Sequence, residues 1–118
     1  MTVKDFRDLL VWRQAMDVAA TVYRLTKTFP PEELFSLTAQ LRRSAISVAS
    51  NIAEGQGRGS DAEFGRFLNI ARGSLCELQT QLLLAQRVEA RPVREFDNVL
   101  AEVEELGRML RGLQNTVG

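Results

Sequence analysis

Apolar residues recur along most of this chain at steps of three and four, the period of an α-helix with one buried face. Three breaks interrupt the pattern: Pro30-Pro31, the run from Gly55 to Ser60, and Ala90-Arg91-Pro92. They divide the chain into four helices, expected at about residues 9–29, 31–54, 61–88 and 92–113. Period-two alternation is absent, so no strand is predicted. Four long helices with short links predict an all-α fold. Antiparallel neighbours follow from the short links, giving an up-down four-helix bundle as a single domain over residues 1–118.

Each helix carries its own stripe. In the first, Trp12, Ala15, Ala19, Val22 and Thr26 keep helical spacing, and Met16, Tyr23 and Phe29 widen the face. Pro30 pushes its predecessor out of the α region and ends the helix, and Asp5 or Asp8 serves the start. The second places Leu34, Leu37, Leu41, Ala45, Val48 and Ile52 inward. An irregularity is expected near Ser36, and Gly55 is the natural residue just past its end. The third begins with Ser60 and Glu63, spaced as a capping box. Its seam Phe64, Leu68, Ala71, Leu75, Leu78, Leu82 and Ala85 steps alternately by four and three. Phe67, Ile70, Leu83 and Leu84 flank that seam and predict the most buried helix. The fourth repeats the steps with Phe96, Val99, Val103, Leu106, Leu110 and Leu113, and its outer positions Glu95, Asp97, Glu102, Glu104 and Glu105 are acidic. Arg108 and Arg111 suit the negative end of its dipole.

Composition narrows the chemistry. Lys plus Arg and Asp plus Glu number 15 each, so net charge favours neither nucleic acid nor an acidic tail, and any charge argument is local. There is no histidine, which removes the commonest metal ligand and general base. A di-iron bundle site needs Glu-x-x-His motifs and is excluded with it. One cysteine, Cys76, allows no intrachain disulfide and suits a reducing, cytoplasmic setting. Its place one residue past a core position predicts a small buried hydrophobe. The start, Met1 to Asp8, mixes charges without an apolar core, unlike a signal peptide. No apolar run is long enough to span a bilayer. These features predict no catalytic residues, no cofactor, no metal and no membrane association.

The candidate functional residues are therefore charged or small. The glycines between Gly55 and Ser60 lack the preceding strand and the Gly-Lys-Ser/Thr of a phosphate cradle, so they read as a tight turn, with Arg58 open to a weak anion contact. From Arg42 to Arg72 there are five arginines (Arg42, Arg43, Arg58, Arg66 and Arg72) against three acids. They are the candidate nucleic-acid contacts if assembly gathers them on one surface. A solvated face or internal salt bridges would explain them equally well. Glu54 is expected to pair with an arginine such as Arg43 or to make a polar contact near the turn. The small residues from Ser44 to Ala53 leave a second face at Ile46, Ala49 and Ala53, which predicts a homo-oligomer; burial of both faces within one subunit is the alternative.

Two stretches carry a resemblance: Gln40-Leu41-Arg42-Arg43-Ser44 onward to Gly55, and Phe67-Leu68-Asn69-Ile70-Ala71-Arg72 onward to Leu82. Leu10-Val11-Trp12-Arg13-Gln14-Ala15-Met16 and the Phe29-Pro30 break fit it too. The chain resembles the bacterial four-helix bundle proteins called 23S rRNA intervening-sequence proteins. It is also similar to the accessory variability determinant of diversity-generating retroelements. The resemblance implies a ring-shaped homopentamer and, through the second group, a nucleic-acid-processing partner such as a reverse transcriptase. It brings no catalytic residues. The family often has proline where this chain has Ala49, so a straighter second helix is expected. The matching Gln40, Arg43, Asn51 and Glu54 read as polar contacts, with Gln40, Asn51 and Glu54 expected as a structural polar motif and a binding site as the alternative.

The functional expectation is a non-enzymatic oligomeric scaffold binding RNA or a nucleic-acid-processing protein. The alternative is a protein-binding adaptor with no nucleic-acid contact, using the apolar flank of the second helix or the acidic face of the fourth.

Overall fold

A computed structural model describes residues 5–117; Met1 to Lys4, part of the mixed-charge start, lie outside the described residues. The periodic stretches form four α-helices: α1 (Leu10–Thr26), α2 (Ala39–Gly57), α3 (Asp61–Arg87) and α4 (Asp97–Val117). No described residue is in a strand. Helix α2 packs on α1 and α3, and α4 closes the ring of contacts against α3 and α1. The molecule is a rod of 44 × 23 × 20 Å. Its long axis matches α3, whose 27 residues rise about 40 Å at 1.5 Å each.

Local chemistry sets the helix ends. The Asp5 carboxylate accepts the Arg7 backbone N–H at 2.8 Å and caps a 3-10 turn, Phe6–Asp8, ahead of α1. Ser60 Oγ accepts the Glu63 backbone N–H at 3.2 Å at the start of α3, as its spacing predicts. The Glu63 carboxylate turns to Arg66. At the far end of α3, Ala90 N–H reaches Ala85 O at 3.0 Å and Glu89 N–H reaches Gln86 O at 3.1 Å. These are the two bonds of a Schellman motif, with Glu89 in the left-handed position at φ 55°.

The core seam of α3 is as predicted: all seven seam residues from Phe64 to Ala85 are buried. Helix α4 buries Phe96, Val99, Val103, Leu106 and Leu110, leaves Leu113 half-buried, and runs on to Val117 because nothing breaks it.

Several expectations are corrected. Ala15, Val22 and Thr26 of the expected α1 stripe are buried, but Val11 and Val18 complete the buried face, while Trp12 and Ala19 are only half-buried beside the core and Met16 and Tyr23 are exposed. The first helix also stops at Thr26, before the predicted limit. The irregularity expected near Ser36 is present: the second helix begins with a 3-10 turn at Pro31–Glu33 and a π-turn at Leu34–Thr38. The wider π-turn resets the register: Thr38 takes the core position, Leu37 is half-buried and Leu34 is exposed. Helix α2 then passes Ala49 unbroken and continues through Gly55 to Gly57. Gly55 is thus a buried helical residue, and Gly59 supplies the positive φ of 81° at the turn. Cys76 is exposed, because the α3 seam turns away from it. Ile70, Leu83 and Leu84, expected to deepen the burial of α3, are also exposed.

Candidate functional site

Displacement of Trp12, Met16 and Tyr23 from the core gives α1 a second apolar face. Helix α2 presents Ile46, Ala49, Ser50 and Ala53 beside it, and the two faces enclose a groove of about 470 Å³. Small side chains at Ala19, Ala20, Ala49 and Ala53 let the groove form. Met16 and Ile46 are each 46% exposed along it. Two aromatic groups are held from outside: Phe6 meets Trp12 edge-on at 5.1 Å, and the Arg42 guanidinium sits 4.5 Å from the Tyr23 ring centre. Isolated exposed apolar residues are ordinary, and here several are brought together along one groove.

The five arginines take three separate places. Arg42 Nε donates to Thr26 Oγ1 at 2.9 Å, tying the start of α2 to the end of α1. Neighbouring Arg43 is exposed and makes no hydrogen bond or ion pair with a described residue. Arg58 and Arg66 converge on Phe67, at 5.0 and 4.6 Å from its ring centre, beside the α2–α3 turn. Arg58 pairs with Glu54 at 2.8 Å and Arg66 with Glu63 at 2.9 Å. The hydrogen bond from Arg66 holds the Glu63 carboxyl below its ordinary value. Arg72 points to α4, where its Nη1 donates to Gln114 Oε1 at 2.8 Å. One chain therefore gathers Arg58 and Arg66 and leaves the other three apart.

The polar motif divides in the same way. Glu54 binds Arg58, one turn along its own helix, and not Arg43. Gln40 is exposed and makes no hydrogen bond with a described residue. Asn51 Nδ2 donates to Ser47 O at 2.8 Å and joins a polar ladder between α2 and α3. Ser47 and Ser74 hydroxyls lie 2.8 Å apart. Ser44 Oγ lies 2.8 Å from Glu77 Oε1 and 2.9 Å from Gln81 Oε1. Sequence reasoning missed this ladder. Its signal was the polar residues 44, 47 and 51 at heptad steps, facing 74, 77 and 81 at the same steps.

Among the described residues, no group of three or more His, Cys, Asp or Glu could hold a metal ion, and no helix is long and apolar enough to cross a membrane. The family model described as 23S rRNA-intervening sequence protein matches residues 7–112. Among solved structures, the chain is similar to a protein of unknown function from the S23 ribosomal protein family of Bacteroides thetaiotaomicron. Identity is 25%, the match covers 90% of this chain and 96% of that one, and the TM-score is 0.82. No curated protein matches the chain.

Proposed function

The chain belongs to the family of 23S rRNA-intervening sequence proteins, and from that premise we propose that it is a non-enzymatic, homo-oligomeric scaffold for RNA. The observation that carries the proposal is the α1–α2 groove, an apolar surface that a lone chain would leave in water. The same chain bears a second exposed apolar patch at the end of α3, at Leu83, Leu84 and the following Val88. Seating the patch of one copy in the groove of the next buries both. Two unlike patches make a head-to-tail contact, which closes into a ring when the rotation allows. A ring of five is the arrangement that the family resemblance implies.

Assembly also supplies what the single chain lacks in charge. Arg43, Arg58 and Arg66 are exposed, and a ring repeats each of them once per subunit. Phosphate contacts add through counterion release, so modest contacts multiplied around a ring give salt-sensitive binding. Arg42, tied to Thr26 and Tyr23, serves the fold first.

The test is binding of a structured RNA to the purified protein as salt is raised. Saturable binding that falls steeply with salt, with a shallower slope in an Arg43→Ala/Arg58→Ala variant, is the expected result. Absence of binding at low salt, together with a protein partner that persists after nuclease treatment, would replace the RNA scaffold with a protein-binding adaptor.

A further inference from the structure

The α3–α4 seam opens where Gly107 withholds a side chain. A Cβ at that position would meet Arg111 Nη1 at 3.5 Å and Leu75 Cδ2 at 3.7 Å. The resulting cleft measures about 310 Å³. Its polar lining is Arg72, Cys76 and Gln79 from α3, with Glu104, Arg108 and Arg111 from α4.

The charges in the cleft are unevenly matched. Arg72 spends one N–H on the neutral amide of Gln114, so no carboxylate neutralises it. Arg111 makes no hydrogen bond or ion pair with a described residue. Arg108 gives Nε and Nη2 to Glu105 Oε2 at 3.1 and 2.7 Å. Glu104 is the carboxylate in the lining itself. Three guanidiniums thus face Glu104 and Glu105, and the excess is positive. Guanidinium forks match phosphate oxygens, and two guanidiniums without a carboxylate partner in one concavity match a phosphate group. Glu104 repels a second anionic group and accepts hydrogen bonds from hydroxyls.

We propose that this cleft binds a phosphate carried on a hydroxylated group, with Arg72 and Arg111 holding the phosphate and Glu104 accepting a hydroxyl. Two sources offer that chemistry: a free sugar phosphate, and the sugar–phosphate backbone of RNA. The site does not depend on the RNA reading, because it requires only the small ligand.

Calorimetric titration of the full chain with ribose 5-phosphate, inorganic phosphate and ribose tests the proposal. Ribose 5-phosphate is expected to bind saturably and more tightly than the other two. An Arg72→Gln/Arg111→Gln variant, folded by circular dichroism, loses about tenfold or more in affinity, as for removal of charge-assisted bonds. Glu104→Gln strengthens inorganic phosphate and weakens ribose 5-phosphate. No saturable binding of ribose 5-phosphate, or equal affinity in the double variant, overturns the site. Where ribose 5-phosphate binds, its displacement of a labelled RNA assigns the cleft to the backbone of that RNA. Undisturbed RNA binding, or none to disturb, assigns it to a free sugar phosphate.

Discussion

Gly55 of α2 lies directly against Phe67 of α3: a Cβ on Gly55 would stand 2.5 Å from the Cβ of Phe67. Phe67 Cβ is fixed to its backbone, so relief requires the helices to part. Gly55→Ala gains up to about 1 kcal/mol of helix propensity, against about 1–3 kcal/mol for overpacking. The expected outcome is a net loss of up to about 2 kcal/mol in urea unfolding. Gly73, in α3 with nothing within 4 Å of its Cβ position, is the contrast. Gly73→Ala should gain about 1 kcal/mol in the same assay.

Ser44 has one hydroxyl proton and two oxygen neighbours, Glu77 and Gln81, while itself only 1% exposed. Its proton is better placed on the charged Glu77. Ser44→Ala should cost about 1 kcal/mol. Glu77→Gln should matter less once Ser44 is gone, with a coupling of about 0.5–1 kcal/mol in a double-mutant cycle.

Glu89 holds the left-handed position that ends α3, at φ 55°. That conformation crowds the Cβ of an L-residue and suits glycine. Glu89→Gly is expected to stabilise the protein by about 1 kcal/mol, measured as a raised unfolding midpoint.

Acid should loosen the N-terminal turn late. The Arg7 side chain and backbone N–H hold the Asp5 carboxyl at about 2, below its ordinary value of 3.8. The folded value is depressed, so the contribution to stability is complete above about pH 4 and is lost as pH falls through about 2. An NMR titration should find the Asp5 midpoint near 2, and Arg7→Ala should return it toward the ordinary value. Glu63 and Glu95, lowered by Arg66 and Arg91, follow the same sign.

The legible parts of the sequence were those written in a single helical period. The α3 seam from Phe64 to Ala85 and the cap at Ser60 could be placed because spacing alone determines them. The core register of α1 was read only in part: Ala15, Val22 and Thr26 were placed, and Val11 and Val18 were not. Val11, Val18 and Val22 form one apolar stripe, while Trp12, Met16, Ala19 and Tyr23 form another, and only the position of α2 decides which faces inward. Trp12, half-buried against the core, belongs to the flank between the two. The irregularity near Ser36 was legible, but its form, a π-turn at Leu34–Thr38 that moves Leu34 outward, was not. Of the candidate site, the Ile46–Ala49–Ala53 face was visible from α2 alone. Its other wall on α1 was hidden because Trp12, Met16 and Tyr23 keep a helical spacing that suits the core equally well. The cleft at Gly107 was hidden for a different reason: Arg72 and Arg111 meet only through tertiary packing of α3 on α4.

In the proposed assembly the α1–α2 groove is filled by another copy of the chain. Sedimentation of the purified protein, beside an Ile46→Glu variant with unchanged helical content, tests this most directly. The predicted result is a wild-type assembly of several 13.2 kDa chains and a variant that sediments as a single chain. A wild-type protein that remains a single chain, or an Ile46→Glu protein that assembles as wild type does, would contradict it.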